Sequence, residues 1–160
     1  MSLLKSRHEA VAIARSWIGT PYVKGARIRG AGCDCATLLA EYLIEIGAAN
    51  REELGAYSHD WFSHTSQERY MIALIRHARQ TMETVAFGSP EAAPGNLVLY
   101  RVVGSRVYNH GAIVVEWPRV VHAYDTRVGE TDTTLHPLTA NMQMAVFDPF
   151  EPVEQINADR

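Results

Sequence analysis

The chain of 160 residues carries a formal net charge of −3 at pH 7, with 47% hydrophobic and 21% charged residues. That length suits one domain able to bury roughly 70% of the surface its unfolded chain exposes, and the composition is that of an ordinary soluble globular protein. Mild acidity without a Lys/Arg cluster argues against nucleic-acid binding, and no apolar run approaches the roughly 20 residues that would cross a bilayer.

Met1-Ser2-Leu3-Leu4-Lys5 lacks the apolar core and small-residue cleavage site of a signal peptide. The chain is therefore expected to be made in the cytoplasm and to stay there unless lysis or an assembly carries it out. Ser6-Arg7-His8-Glu9 matches a capping box, and Ala10, Ile13, Ala14, Trp17 and Ile18 follow on one helical face. Gly19-Thr20-Pro21 ends that helix and Tyr22 opens a loop in which Lys24, Arg27 and Arg29 stand among glycines. These cations suit either substrate carboxylates or a solvated loop.

A second helix enters from Gly32. Leu38, Leu39, Tyr42, Leu43 and Ile46 recur at the spacing of one buried face, Asp34 fits the N-cap, and Gly47 fits the C′ position. Cys35 then falls at the first helical position, where the positive end of the dipole favours thiolate over thiol. From Ala48 to Thr65 the reading is irregular, with His59, Asp60, Trp61 and His64 crowded together. They suit a packed insert that walls a cleft, or a metal site. A capping box at Thr65 to Glu68 predicts a third helix with a core stripe of Met71, Leu74, Ile75, Ala78 and Met82.

Gly88 to Gly95 is a turn-rich connector. Beyond it, Asn96 to Val102, His110 to Glu116, Val120 to Asp125 and Gln143 to Asp148 read as strands, with Gly104-Ser105 and Trp117-Pro118 as turns. Residues 1–150 are thus expected to form a single α+β domain, N-terminal helices packed on an antiparallel sheet, and residues 151–160 a polar tail.

Only two cysteines occur, Cys33 and Cys35. A disulfide across two residues is very strained, and two thiols without a second ligand pair are a weak zinc signal, so reduced thiols are expected. A cysteine nucleophile needs a base and a group that orients it. Among seven histidines, His8 and His77 lie on amphipathic helices as solvated groups and His136 reads as loop. His110 and His122 lie on adjacent predicted strands. They share a face only if opposing residue numbers sum to an even number, which requires an odd loop or a bulge. A three-residue loop, Glu116-Trp117-Pro118, is expected; it would set His110 opposite Tyr124 with His122 as its diagonal neighbour.

Gly19-Thr20-Pro21-Tyr22, Asp34-Cys35, Asn109-His110-Gly111-Ala112-Ile113-Val114 and Val121-His122-Ala123 together resemble the NlpC/P60 cysteine peptidases, papain-like hydrolases of bacterial cell-wall peptides. Trp17-Ile18-Gly19, Asp60-Trp61 ahead of Glu68-Arg69-Tyr70, and Trp117-Pro118-Arg119 resemble the branch found in phage tail gene clusters and gene-transfer agents. The resemblance implies a papain-like fold with Cys35 as nucleophile, His110 as general base and acid, and His122 as the group orienting it. The same resemblance implies Tyr22 beside the nucleophile as part of the catalytic set, and Asp34, Ala36 and Trp61 as substrate-binding residues. Ala36 replaces the family's usual serine, which shapes a substrate subsite, and Pro94-Gly95-Asn96 replaces its Pro-Gly-Asp turn.

The implied reaction is hydrolysis of the γ-D-glutamyl to diamino acid bond in peptidoglycan stems, without a cofactor. The implied partners are peptidoglycan and phage tail tip proteins, with a virion-associated location. An imidazolium at His110 beside the helix start is expected to lower the Cys35 thiol from about 8.5 to as low as 3 to 4. Two other readings stand: a papain-like acyltransferase or amidase on another acyl substrate, and a catalytically silent tail structural component.

Overall fold

The computed structural model describes residues 3–55, 76, 79–84, 92–102 and 108–151. Helix α1 (Arg7–Ser16) starts at the expected box: the Ser6 hydroxyl accepts from Glu9 N–H while the Glu9 carboxylate takes the Ser6 N–H. Its apolar face buries Ala10, Ala14 and Trp17, but Ile18 lies past the helix end and stays 45% exposed. Helix α2 (Cys35–Glu45) is capped by Asp34. It ends in a Schellman motif, with Gly47 at φ +84° and the N–H groups of Gly47 and Ala48 donating to the carbonyls of Ile44 and Leu43.

The expected single buried face on α2 is too narrow: every residue from Cys35 to Leu43 is buried. The helix packs against the main sheet and α1 and also meets the loop strand that carries Arg27. Buried Glu41 is matched there by Arg27 Nε at 2.8 Å and Arg51 Nη2 at 2.6 Å. Arg51 belongs to a short helix α3 (Arg51–Gly55), where an irregular chain is expected from the sequence.

The loop holds a two-stranded ribbon, β1 (Arg27–Ile28) and β2 (Gly32–Cys33). The main sheet comprises β3 (Arg79–Thr84), β4 (Leu97–Arg101), β5 (His110–Glu116), β6 (Arg119–Tyr124), β7 (Arg127–Asp132) and β8 (Gln143–Asp148). The strand order is β3-β8-β4-β5-β6-β7, antiparallel throughout. Residues 79–84 correct the third helix: the segment carrying Met82 is a strand paired with β8. Long-range pairing overrides the local helical period there, and Met71, Leu74, Ile75 and Ala78 lie outside the described residues.

The two faces of the sheet separate by parity. Leu97, Leu99, Ile113, Val121, Ala123, Ala145 and Phe147 pack with α1 and α2, whereas Val98, Tyr100, Ala112, Val114, Val120, Met144 and Val146 form a second cluster. Arg7 clamps α1 to the sheet, donating to Pro94 O, Asn96 Oδ1 and, at 2.6 Å, Asp148 Oδ2. Tyr42 ties α2 to the same turn through a 2.6 Å bond to Gly95 O. Gly95 is needed here: its φ is +88°, and a Cβ would meet the Phe150 ring at 2.7 Å.

The β5–β6 turn resolves the parity question differently from expectation. The turn has two residues, Trp117 and Pro118, joined by a cis peptide. A bulge between Val114 and Glu116 shifts the register, so that Glu116 pairs with Arg119 while Val114 pairs with Val120 and Ile113 with Val121. The sums near the histidines are therefore even, and His110 and His122 share a face. The face is as expected; the extra residue sits in the strand, not the loop.

Candidate active site

Asp34 holds the start of α2 with both carboxylate oxygens. Its Oδ1 accepts from Ala36 N at 2.9 Å and Thr37 N at 2.8 Å, and its Oδ2 accepts from Gly25 N at 2.8 Å. Thr37 completes the box, its hydroxyl accepting from Asp34 N at 2.8 Å. Only 4% of Asp34 is exposed, so its carboxylate serves the cap and the Gly25 loop. Ala36 is buried beside it.

This cap sets Cys35 at the first helical position, 5% exposed. The amides of Gly111, Ala36 and Cys35 itself point to its sulfur and favour the thiolate, but burial first and the Asp34 charge second outweigh them and push the thiol up to about 12. The lowering expected from the dipole is thus reversed in this pocket, because desolvating a thiolate costs more than three amides return. Gly111 directly follows His110, so the sulfur of α2 meets β5 at the strand end that carries the imidazole.

On that strand His110 Nε2 lies 2.8 Å from His122 Nδ1. The other nitrogen of His122 is 3.2 Å from Thr131 Oγ1 on β7. Burial, then the neighbouring His122 and His136, bring His110 down to about 3; burial and His136 bring His122 down to about 4. Both rings are neutral at physiological pH. Tyr124 stacks nearly parallel to His122 with centroids 6.0 Å apart, and His136 stands perpendicular to both rings at 4.9 and 4.8 Å.

Tyr22 comes in from the loop after α1. It forms a bridge with Cys33, and its N–H donates to Thr126 O at 2.8 Å, next to the Tyr124 turn. Burial, followed by Cys35, Asp34 and Cys33, pushes its hydroxyl up to about 12, which keeps the hydroxyl proton available for donation. The structure therefore gathers Tyr22, Asp34 and Cys35 at one helix start and pairs His110 on β5 with His122 on β6, the residue after His110, Gly111, reaching the Cys35 sulfur through its amide. Trp61, His59, Asp60 and His64 lie outside the described residues, as does His77.

Sequence reasoning missed Thr131 and His136, whose strand and loop carry no hydrophobic pattern. It also left open the loop cations: Arg27 is engaged by Glu41, and Arg29 bonds to Glu45. Cys33 is a fully buried free thiol pushed up to about 12, first by burial and then by Asp34. Among the described residues no group of three or more His, Cys, Asp or Glu could hold a metal ion, and no helix is long and apolar enough to cross a membrane.

The architecture is similar to solved NlpC/P60 structures. The NlpC/p60 domain of peptidoglycan hydrolase SagA matches with a TM-score of 0.58 and 19% identity over 88% of this chain and 97% of that one. NlpC2 from Trichomonas vaginalis gives 0.61 and 12% identity over 95% of this chain and 49% of its own. An NLP/P60 family protein similar to lipoprotein from Staphylococcus aureus gives 0.55 and 17% over 95% and 45%. The chain spans about half the length of these last two. No protein-family model matches the sequence, and no curated protein matches it. The likeness establishes the expected α+β NlpC/P60 fold.

Proposed function

We propose that the chain is a cysteine peptidase that hydrolyses amide bonds in the peptide stems of bacterial peptidoglycan. The observation that carries this reading is the 2.8 Å pair between His110 on β5 and His122 on β6, with Gly111, the residue after His110, offering its amide to the Cys35 sulfur. A thiol at a helix start, a buried imidazole and a second ring that orients it are the parts acyl transfer through a thioester requires.

Because burial holds thiol and imidazole neutral, the proton moves as the bond forms. The Cys35 sulfur attacks the acyl carbon while its proton passes to His110 Nδ1, the nitrogen not taken by His122. The tetrahedral oxyanion faces the Cys35 N–H and the Tyr22 hydroxyl. Collapse transfers the His110 proton to the leaving amine and leaves a thioester. His110 then takes a proton from water as its oxygen attacks the thioester carbon, and the second collapse frees the acid and returns the proton to Cys35.

The solved domain of a peptidoglycan hydrolase with this fold supports peptidoglycan as the substrate. The resemblance supports the γ-D-glutamyl to diamino acid bond, with Asp34, Ala36 and Trp61 around the substrate and no cofactor. It also supports action at a phage or prophage tail tip, where cutting the wall locally opens a path for the tail. The test is mass spectrometry of purified muropeptides incubated with wild type and Cys35→Ala. New termini at one amide bond with wild type alone are expected; identical fragments from both proteins, or none from either, refute the reading.

A further inference from the structure

We infer that Thr131 on β7 is a positioning residue: its hydroxyl accepts the Nε2 proton of His122 and so supports the tautomer of both imidazoles that leaves His110 Nδ1 free to take the Cys35 proton. The kinetic consequence rests on the function proposed above; the placement of the protons rests on geometry alone.

Val120 lies opposite Thr131 and His122 opposite Gly129, so Thr131 is the diagonal neighbour of His122 on the same face of the sheet. Gly129 has no side chain to offer, and the His122 ring reaches Thr131 Oγ1 through Nε2 at 3.2 Å. Its other nitrogen, Nδ1, is engaged by His110 Nε2 at 2.8 Å. His136 does not compete: its Nδ1 accepts from Leu138 N at 3.2 Å, and its ring meets His122 at 83°. Both nitrogens of His122 are therefore spoken for, one by each strand neighbour.

A threonine hydroxyl can donate or accept, and the direction is decided when His110 becomes charged. An imidazolium carries a proton on each nitrogen, so His110 Nε2 must then donate to His122. His122 must present a lone pair at Nδ1 and carry its own proton at Nε2. Among the described residues the hydrogen-bonding group placed on that proton is Thr131 Oγ1, which must accept. The same directions in the neutral state leave His110 with a proton on Nε2 and a lone pair on Nδ1, ready for the thiol. In the reverse relay Thr131 donates, His122 is protonated on Nδ1, and His110 turns an N–H toward the sulfur and cannot act as a base.

The test uses the full chain labelled with 15N at histidine, together with Thr131→Val and Thr131→Ser. Valine keeps the shape and strand propensity but removes the hydroxyl; serine keeps the hydroxyl. Long-range 1H–15N correlation spectra at neutral pH are expected to show His110 and His122 both protonated on Nε2 in wild type and in Thr131→Ser. In Thr131→Val, His122 moves toward Nδ1–H. Against a soluble muropeptide with a γ-D-glutamyl to diamino acid bond, Thr131→Val is expected to lower kcat on the order of tenfold to a hundredfold, as for a buried N–H left without a partner. KM stays unchanged, and Thr131→Ser restores the rate. Wild-type His122 protonated on Nδ1, or Thr131→Val with wild-type spectra and kcat, overturns the inference. If wild type cuts no muropeptide, the proposed function fails on its own, and the spectra still decide the relay.

Discussion

Replacing Asp34 with Asn separates the structural role of this carboxylate from its effect on the neighbouring thiol. Asp34 accepts three backbone N–H bonds, two from the first turn of α2 and one from Gly25. Bonds to a charged acceptor contribute about 1.5–3 kcal/mol each and neutral ones about 0.5–1.5. Asn keeps an oxygen for Ala36 and Thr37 at the lower value, a loss of about 1 kcal/mol per bond. Its amide nitrogen then faces the Gly25 N–H, donor against donor, and that bond is lost outright. Relief from burying a charge offsets part of this, leaving a net destabilisation of about 2–4 kcal/mol. For a domain of this size that is a fall in Tm of roughly 5–15 °C.

The same change removes a negative charge that raises the Cys35 thiol, so iodoacetamide should alkylate Cys35 faster at a fixed mildly alkaline pH. The assay pairs thermal unfolding by circular dichroism with alkylation well below Tm, read by tandem mass spectrometry so that Cys33 and Cys35 are distinguished. A less stable protein with a more reactive Cys35 is expected; Cys33, which the same charge also raises, stays slow because it is fully buried. Unaltered Tm would refute the capping argument. Slower or unchanged alkylation of Cys35 would refute the electrostatic one.

His110 and His122 are held near 3 and 4 by burial, below the value of about 6.5 for a free imidazole. The unfolded chain therefore binds more protons than the folded one as pH falls from 6.5, so stability present above that pH should decline steadily towards pH 4. Tm measured across pH 4–8 should show this slope, and His110→Gln should flatten it. Glu41→Ala should cost about 3–5 kcal/mol in denaturant unfolding, because it strands Arg27 in a mostly buried site. Arg51→Ala should cost at most about 1 kcal/mol, since the Arg51 side chain is 62% exposed. Tyr22→Phe should lower muropeptide kcat on the order of a hundredfold if the hydroxyl serves the oxyanion, with Tm unchanged; a wild-type kcat would remove Tyr22 from that role.

The candidate site was readable where chemistry depends on near neighbours. The box at Ser6, the cap at Asp34 and the stop at Gly47 each involve bonds spanning a few residues, and all three stand where the local pattern predicts. The shared face of His110 and His122 was also legible, because strand parity allows two answers and only one serves a catalytic pair. The device that achieves it, a bulge between Val114 and Glu116, has no local signature. The helix pattern through Met82 failed for a related reason: an edge strand is stabilised by its partner β8, far away along the chain.

Residues near in sequence were enough to place the cysteine at a helix start, the two histidines on neighbouring strands and the α+β class of the domain. Assembly settled the electrostatics. Whether Cys35 is a thiolate, whether the imidazoles are charged, and which groups Thr131, His136, Arg27 and Arg29 meet depend on desolvation and on contacts across long stretches of chain. Desolvation belongs to the whole packed molecule. No short run of residues carries it, and here it raises the Cys35 thiol against the amides of Gly111, Ala36 and Cys35 that favour the thiolate.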